Sequence, residues 1–419
     1  MSKTMPGTHT RSVRWLFVHD HHFVAQQDFV GSRNGFSSAL WDRYLRHCDH
    51  LTVIGRQGPS ADREDLVKSS HPDVTFKLVA ADGRGLRRLL GSAEQNAILT
   101  EEIGKADVIV ARVPSILGFQ AIAIAKRIGK PIAIEAVGCA WSAMWDHGTR
   151  AGKVFAPIHW LQMRKALRQA NNVIYVTNRF LQDRYPTGAR NSVSASDDEL
   201  NVAVASNVEV PAVMDQNGEP SLDQTILEAR LSRIGDLNGR KLQLGLIGSL
   251  KIRSKGIQFV LQALPALRDQ GIPVHFRVLG AGDPAPWIAE AMAHGIADLV
   301  SFDGALPEGE AVFQWLDGVD LYLQPSLQEG LPRALIEALS RACPAIGSSC
   351  AGIPELLDPA MIVPMRDVEA LRRRIAALAG DRDEMRRQAK RNFATAQDYL
   401  SPILAERREA FFNKVGQSA

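Results

Sequence analysis

Two glutamates stand eight residues apart in P-S-L-Q-E-G-L-P-R-A-L-I-E, Pro325–Glu337. Upstream, L-Y-L-Q has strand character, and downstream A-L-I-E-A-L-S-R-A reads as a helix before Cys343 and Pro344. Strand, glycine turn and helix in that order form a β-loop-α unit, which places ligands at the strand's carboxyl end and the helix's amino end. Glu329 is then a loop residue at a ligand site. Glu337 lies about one helical turn further on and can point back toward the helix start. A plainer reading stands beside this one. Arg333 and Glu337 are four apart and suit an exposed helix ion pair, and Glu329 suits the positive end of a helix.

A second candidate is G-S-L-K-I-R-S-K-G, Gly248–Gly256, directly after a strand and before a helix. Arg253 and Lys255 put two cations where unsatisfied N–H groups and the helix dipole already favour phosphate. No G-K-[ST] ends the loop and no G-x-G-x-x-G is present, so it is neither a Walker loop nor a dinucleotide fingerprint. Taken alone, it fits a lysine-bearing surface loop better. The next strand ends in L-G-A-G-D (Leu279–Asp283, with Gly280 and Gly282), and a third in Phe302-Asp303-Gly304. Four successive strand ends with glycine, cation or carboxylate loops describe a nucleotide-sized site along one sheet edge.

The elements that must position these loops alternate strand and helix. In the first half, Val13–His19, Leu51–Ile54, Ala106–Ala111, Ile132–Ala136 and Val173–Val176 read as strands, with helices over Ser37–His47 (Ser37 as cap) and Ser115–Ile128. Gly188–Glu199 reads as a loop and Gln216–Asp223 as a linker. Beyond it come Leu242–Ile247, a helix over Ile257–Asp269, and strands at Val274–Leu279, Val300–Phe302, Leu321–Gln324 and after Pro344. This rhythm predicts an α/β chain of two doubly wound domains facing a crevice. The expected division is a disordered lead-in over 1–10, a first domain over 11–205, a second over 206–390, and a C-terminal helix over 391–419 packing back on the first.

Composition agrees with two domains, since 419 residues exceed the size at which one core keeps growing. A net charge of +3 gives no case for nucleic acid. Between Met163 and Arg190, six arginines and lysines face the single acid Asp183, a surface suited to an anionic membrane, an acidic acceptor or plain solvation. Cys48, Cys139, Cys343 and Cys350 lack finger or CxxC spacing and read as reduced core thiols of a cytoplasmic protein. No apolar run reaches the roughly 18 residues of a membrane span.

With these motifs in place, the second half resembles the retaining glycosyltransferases of family 4, whose fold is GT-B. The resemblance spans nearly the whole chain and is strongest from Leu244 to Leu357. It rests on the loop ending Lys255-Gly256, the Gly280-Ala281-Gly282 and Phe302-Asp303-Gly304 turns, Pro325–Glu337, and G-I-P-E-L-L at Gly352–Leu357. It implies a glycosyltransferase in which Lys255 and Arg253 hold the donor diphosphate, Glu329 meets sugar hydroxyls and Glu337 takes the ribose hydroxyls. Gly35, Ser249, Gly280, Gly282, Phe302, Gly330, Leu331 and Pro332 complete the donor side. Two departures accompany it. Many members have arginine where Ser249 stands, which moves that role to Arg253, and many have a histidine in the loop that reads E-A-V-G-C-A-W here. Glu135, Asp146 and His147 are the acceptor-side candidates that remain.

The resemblance further implies a UDP-sugar ahead of a GDP-sugar as donor and a saccharide or lipid-linked saccharide of surface polysaccharide as acceptor. It also implies retention of anomeric configuration at a cytoplasmic or inner-membrane surface. No metal or other cofactor is expected, because the only D-x-D, Asp381–Asp383, reads as a helix cap. His19, His21 and His22 around Asp20 suit acceptor contact better than metal, and Trp141 with Trp145 suits packing. A nucleotide-sugar hydrolase or epimerase of the same fold would need an acid–base set in the first domain. A noncatalytic binding protein would bind donor without turnover.

Overall fold

The computed structural model describes residues 12–33, 35–59, 66–80, 92–145, 150–188, 201–207, 209–237 and 239–417. The expected lead-in over 1–10, most of the 188–199 loop, Asp146, His147 and Arg190 lie outside them.

Two sheets organise the chain. The first contains β1 (Arg14–Ala25), β2 (Val30–Ser32), β3 (His50–Gln57), β4 (Val67–Lys68), β5 (Val74–Val79), β6 (Val108–Val113), β7 (Ile132–Ala136), β8 (Asn172–Tyr175) and β9 (Asn201–Val204). Its parallel strands run in the order β5-β3-β1-β6-β7-β8-β9, while β2 and β4 add an antiparallel ribbon at the end of β1. A small hairpin, β10 (Val213–Met214) and β11 (Pro220–Ser221), follows. The second sheet contains β12 (Leu242–Ile247), β13 (Val274–Leu279), β14 (Val300–Phe302), β15 (Leu321–Gln324), β16 (Ala345–Ser348) and β17 (Ile362–Val363), all parallel in the order β14-β13-β12-β15-β16-β17. In both sheets the winding reverses beside the first parallel strand, and a crevice opens at such a reversal, outside the carboxyl ends. The strands are buried on both faces, as helix-covered parallel sheets require: all six residues of β6 are buried.

Three local expectations change. Ser37–His47 is not one helix but a 3-10 turn at Ser38–Leu40 and a single turn at Asp42–Leu45, and the Ser37 side chain makes no capping bond. Aromatic packing sets that path, since Trp41 and Tyr44 turn inward against Phe17 and Phe36. Gln216–Asp223 is a tight hairpin rather than a loose linker: Asp215 accepts from the amides of Asn217 (2.8 Å) and Glu219 (2.9 Å). A helix at Gln224–Gly235, absent from the sequence reading, then begins with Asp223 as its cap.

The closing helix, Ser401–Gln417, lies on the first sheet. Phe412 packs edge-on against Trp15 and Tyr44, and the Phe411 carbonyl accepts from Asn201 of β9 at 2.9 Å. All four cysteines are buried free thiols.

Candidate active site

Because β12 and β15 are neighbours at the reversal of the second sheet, the loops that follow them converge although they are far apart in sequence. The β12 loop ends in a 3-10 turn at Arg253–Lys255 and then Gly256, whose φ of +82° lies in the left-handed region. A Cβ there would sit 2.1 Å from the Pro325 carbonyl oxygen, and the Ser254 carbonyl accepts from the Leu327 amide at 2.7 Å. The two loops are thus clamped backbone to backbone.

That clamp sets Lys255 on Glu329. One carboxylate oxygen, Oε1, accepts from Lys255 Nζ at 2.7 Å, Ser326 Oγ at 2.8 Å and Gln324 Nε2 at 2.9 Å. Tyr322 donates to Gln324 at 3.0 Å, extending the network into the core. The Glu329 side chain is only 7% exposed. Oε2 has no hydrogen-bond partner among the described residues, so the carboxylate is held rigidly by one oxygen and can accept hydroxyls through the other. Gln324 and Ser326, which orient Glu329, were not singled out in the sequence. Their places at the end of a buried strand were the available signal.

Glu337 lies on the helix Arg333–Ser340, partly buried, with no hydrogen bond or ion pair at its carboxylate among the described residues. Burial raises its pKa above the usual carboxylate range; Arg333 opposes this and Glu308 adds to it. The helix ion pair with Arg333 is not formed. Arg333 Nη1 reaches Glu308 instead, at 2.6 Å. Glu337 lines a cleft of about 960 Å³ between the two sheets, opposite Arg33, Gly35 and Arg408, with Ala281 and the Ala305–Gly309 loop along its wall. Gly35 has φ +67°, and a Cβ added there would lie 3.7 Å from the Arg333 guanidinium. Lys255 and Glu329 do not themselves line this cleft.

The structure separates other expected residues from these. Arg253 does not join Lys255: it forms a two-oxygen ion pair with Glu290 (3.0 and 2.9 Å) and stacks on Trp287 at 4.8 Å. Ser249 turns inward on its own loop, its hydroxyl accepting from the Lys251 amide at 3.3 Å. Gly280 and Gly282 pack against the β12 loop, at Gly248 and Leu250 respectively. Phe302 packs on the core, and Asp303 beside it is tied to Arg277 at 2.8 Å and Trp315 at 2.6 Å. Pro332 caps the Glu337 helix, and Leu331 packs on the cores of both halves.

The halves meet at Gly330, where an added Cβ would fall 2.5 Å from the Val137 carbonyl oxygen. The Gly330 carbonyl in turn accepts from the Gly352 amide at 3.0 Å. Three residues on, the Glu355 carboxylate reaches across and accepts from the first-half amides of Asn178 (2.6 Å), Arg179 (3.1 Å) and Phe180 (2.5 Å). In the sequence Glu355 stands out only as part of G-I-P-E-L-L. Its cross-domain role depends on the contact between the halves.

On the first-half side, Glu135 is corrected from acceptor candidate to structural anchor. It is buried, bonded by Arg112 Nε at 2.7 Å and by the Tyr44 hydroxyl at 2.7 Å. Burial opposes its charged form, yet Arg112, Arg43 and the Tyr44 bond hold its pKa below the usual range. Asp20 is an anchor too, paired with Arg56 at 2.7 Å and accepting from the Ile116 amide at a helix start. Among the described residues no three His, Cys, Asp or Glu side chains gather as a metal site. Trp141 and Trp145 stack on each other at 5.2 Å.

Burial, with Arg112 nearby, pulls His19 down to about 4, although Asp20 opposes it; burial, then His19 and His22, pull His21 to about 3. Both folded values lie below the unfolded value near 6.5, so their stabilising contribution is full above that pH. It is lost as pH falls toward 4, when the unfolded chain takes up protons that the folded chain refuses. The melting temperature should drop over that window, equivalent to on the order of 2–4 kcal/mol for each histidine. A His19→Gln/His21→Gln variant should flatten the decline, and an equally steep decline in that variant would refute the assignment.

The family model described as Glycosyl transferases group 1 matches residues 241–381. The chain is 28% identical over 400 residues to Protein CapJ of Staphylococcus aureus, covering 95% of each. It is 33% identical over 151 residues to the putative colanic acid biosynthesis glycosyltransferase WcaL of Escherichia coli K12, covering 33% of this chain and 36% of that one. Sucrose-phosphate synthase from Thermosynechococcus elongatus superposes with a TM-score of 0.66 at 14% identity, over 97% of this chain and 100% of that one. Anabaena HepE in complex with UDP and glucose gives 0.59 at 16%, over 97% and 99%. Likeness at such identities is likeness of fold.

Proposed function

Since this chain is a glycosyltransferase of the GT-B fold carrying a group 1 domain, we propose that it moves a sugar from a nucleotide-sugar to a saccharide or lipid-linked saccharide in surface polysaccharide biosynthesis. The donor is a UDP-sugar ahead of a GDP-sugar, as the UDP bound by HepE suggests. The acceptor class follows the colanic acid assignment of WcaL. We place the donor on the second domain, over 206–390, the acceptor on the first, over 11–205, and the reaction at the cytoplasmic face of a membrane.

One observation carries the donor reading: Glu337 is a half-buried carboxylate in the inter-sheet cleft, raised in pKa and without a protein partner among the described residues. A carboxylate of that kind needs hydroxyl donors, and a ribose diol supplies two. Glu329, fixed through Oε1, offers Oε2 to a sugar hydroxyl, and Lys255 beside it supplies the cation for the departing diphosphate. Leaving-group charge is the main electrostatic demand of the reaction. The acceptor hydroxyl attacks from the leaving-group face with retention, its proton passing to a phosphate oxygen, and no enzyme nucleophile takes part. No metal is assigned: Asp381 caps a helix through the Glu384 amide at 2.8 Å, and Asp383 pairs with Arg386 at 3.1 Å. Arg253, held by Glu290, serves only after releasing that partner.

Calorimetry on two single variants tests this. Glu337→Gln should weaken nucleoside diphosphate and complete donor alike, by about 10–100-fold for a charge-assisted bond. Glu329→Gln should leave nucleoside diphosphate affinity nearly intact and slow turnover of the complete donor. Equal, small effects from both would overturn the donor assignment.

A further inference from the structure

The helix Arg150–Arg168 carries apolar side chains on its outer face. Val154 is 68% exposed, Ile158 39% and Leu161 57%. Their spacing of four and three residues aligns them in one stripe along about two turns. Trp145, at the end of the preceding helix Ala140–Trp145, adds a ring that is 40% exposed. Scattered apolar side chains on a surface are ordinary, but an aligned stripe on one helix is not.

Cations flank the stripe. Lys165 and Arg168 are exposed on its carboxyl-terminal continuation, and Lys153 Nζ lies over the Trp145 ring at 5.7 Å. No acid occurs anywhere between Arg150 and Arg168. Lys165 also borders an apolar groove of about 560 Å³ between this helix and Ile116–Arg127, floored by Phe119, Ile122 and Ala166. Apolar stripe, amphipathic aromatic and acid-free cationic flanks match the layers of an anionic bilayer surface: acyl chains, interface and phosphate.

From this complementarity we propose that the face bearing Val154, Ile158 and Leu161 docks the enzyme on an anionic phospholipid membrane. This deepens, and rests on, the membrane-facing reading above. No helix among the described residues is long and apolar enough to cross a membrane, so the attachment is lateral. The topology gives the docking a purpose. The helix Ala140–Trp145 leaves the carboxyl end of β7 through Val137, which touches Gly330 of the donor loop. Seating Trp145 in the interface therefore brings the crevice to the surface where a lipid-linked acceptor resides.

Flotation of the full chain tests it, with vesicles of phosphatidylcholine alone and of equal parts phosphatidylcholine and phosphatidylglycerol. The parent should float with the anionic vesicles and be released by salt. A Val154→Ser/Ile158→Ser/Leu161→Ser variant should bind them at least about tenfold more weakly with an unchanged melting temperature, since all three residues are exposed. Lys165→Gln/Arg168→Gln should lose about fivefold per cation. Parent and triple variant floating equally, or a parent that floats with neither vesicle, would overturn the proposal. So would a parent dimer that the triple variant converts to monomer in sedimentation velocity, which would make the face a self-association surface. Sugar transfer to a soluble acceptor, measured in parallel, separates the two readings. A chain that floats but transfers nothing refutes the function alone; one that transfers but does not float refutes the docking alone.

Discussion

Replacing Lys255 with alanine should lower kcat by about 10²–10³-fold, equivalent to roughly 3–4 kcal/mol of barrier, the usual loss when one stabiliser of a developing anion is removed. The geometry adds a second effect. Lys255 is one of three donors on Glu329 Oε1, so its removal leaves an almost buried carboxylate with Ser326 and Gln324 alone. Folding stability should therefore fall as well, by about 1–2 kcal/mol. Lys255→Ala/Glu329→Gln should recover most of that stability and none of the rate, because the double change removes the stranded charge but not the need for a cation at the diphosphate. Turnover with a nucleotide-sugar and thermal melts of the four proteins measure both quantities. An unchanged kcat in Lys255→Ala would remove the lysine from the chemistry and leave it a structural partner of Glu329.

Gly256→Ala should be strongly disruptive for the addition of a single methyl. Alanine at φ +82° costs about 1–2 kcal/mol before any contact is considered. Its Cβ would also stand 2.1 Å from a backbone oxygen, and only separating the β12 and β15 loops relieves that overlap. We expect a total loss of about 3–5 kcal/mol, with kcat falling at least as far as in Lys255→Ala, because the cation would no longer be set on the carboxylate. Circular dichroism melts combined with donor turnover decide the matter. Parent-like stability would mean that the loops part at little cost and that the clamp does not position Lys255.

Much of this was legible in the sequence, for reasons particular residues make clear. Ile132–Ala136 and Leu242–Ile247 are strands with the expected bounds because short, largely apolar runs between turn residues leave little choice. The Ile257–Asp269 helix is likewise as expected, its Pro265 notwithstanding. Asp381 was readable as a cap because a cap is a local device. Ser37–His47 misled because helical periodicity in a short segment competes with tertiary packing, and the Phe17–Phe36–Trp41 cluster prevails. The site divides along the same line. Glu329 and Lys255 announce themselves through local motifs. What each side chain bonds does not, so Arg253 looked like a partner of Lys255 until Glu290 and Trp287 claimed it. Glu135 looked like a strand-end acid until Arg112 and Tyr44 enclosed it.

The Glu355 bridge has a consequence for affinity. Its carboxylate spans the two halves and ends on three amides, while Gly352, three residues earlier, is bonded to the loop bearing Glu329. The crevice is thus held assembled by protein contacts alone, and on the reading proposed above a ligand binding between the halves would not have to gather them. Preorganisation of this kind raises apparent affinity without adding one contact to the ligand. It also sets a toll on departure, because a product that leaves only through a wider opening must wait for those amides to let go. On that reading the same carboxylate would bear both on how tightly substrate is held and on how long each turnover lasts, although it stands on neither side of the bond being made.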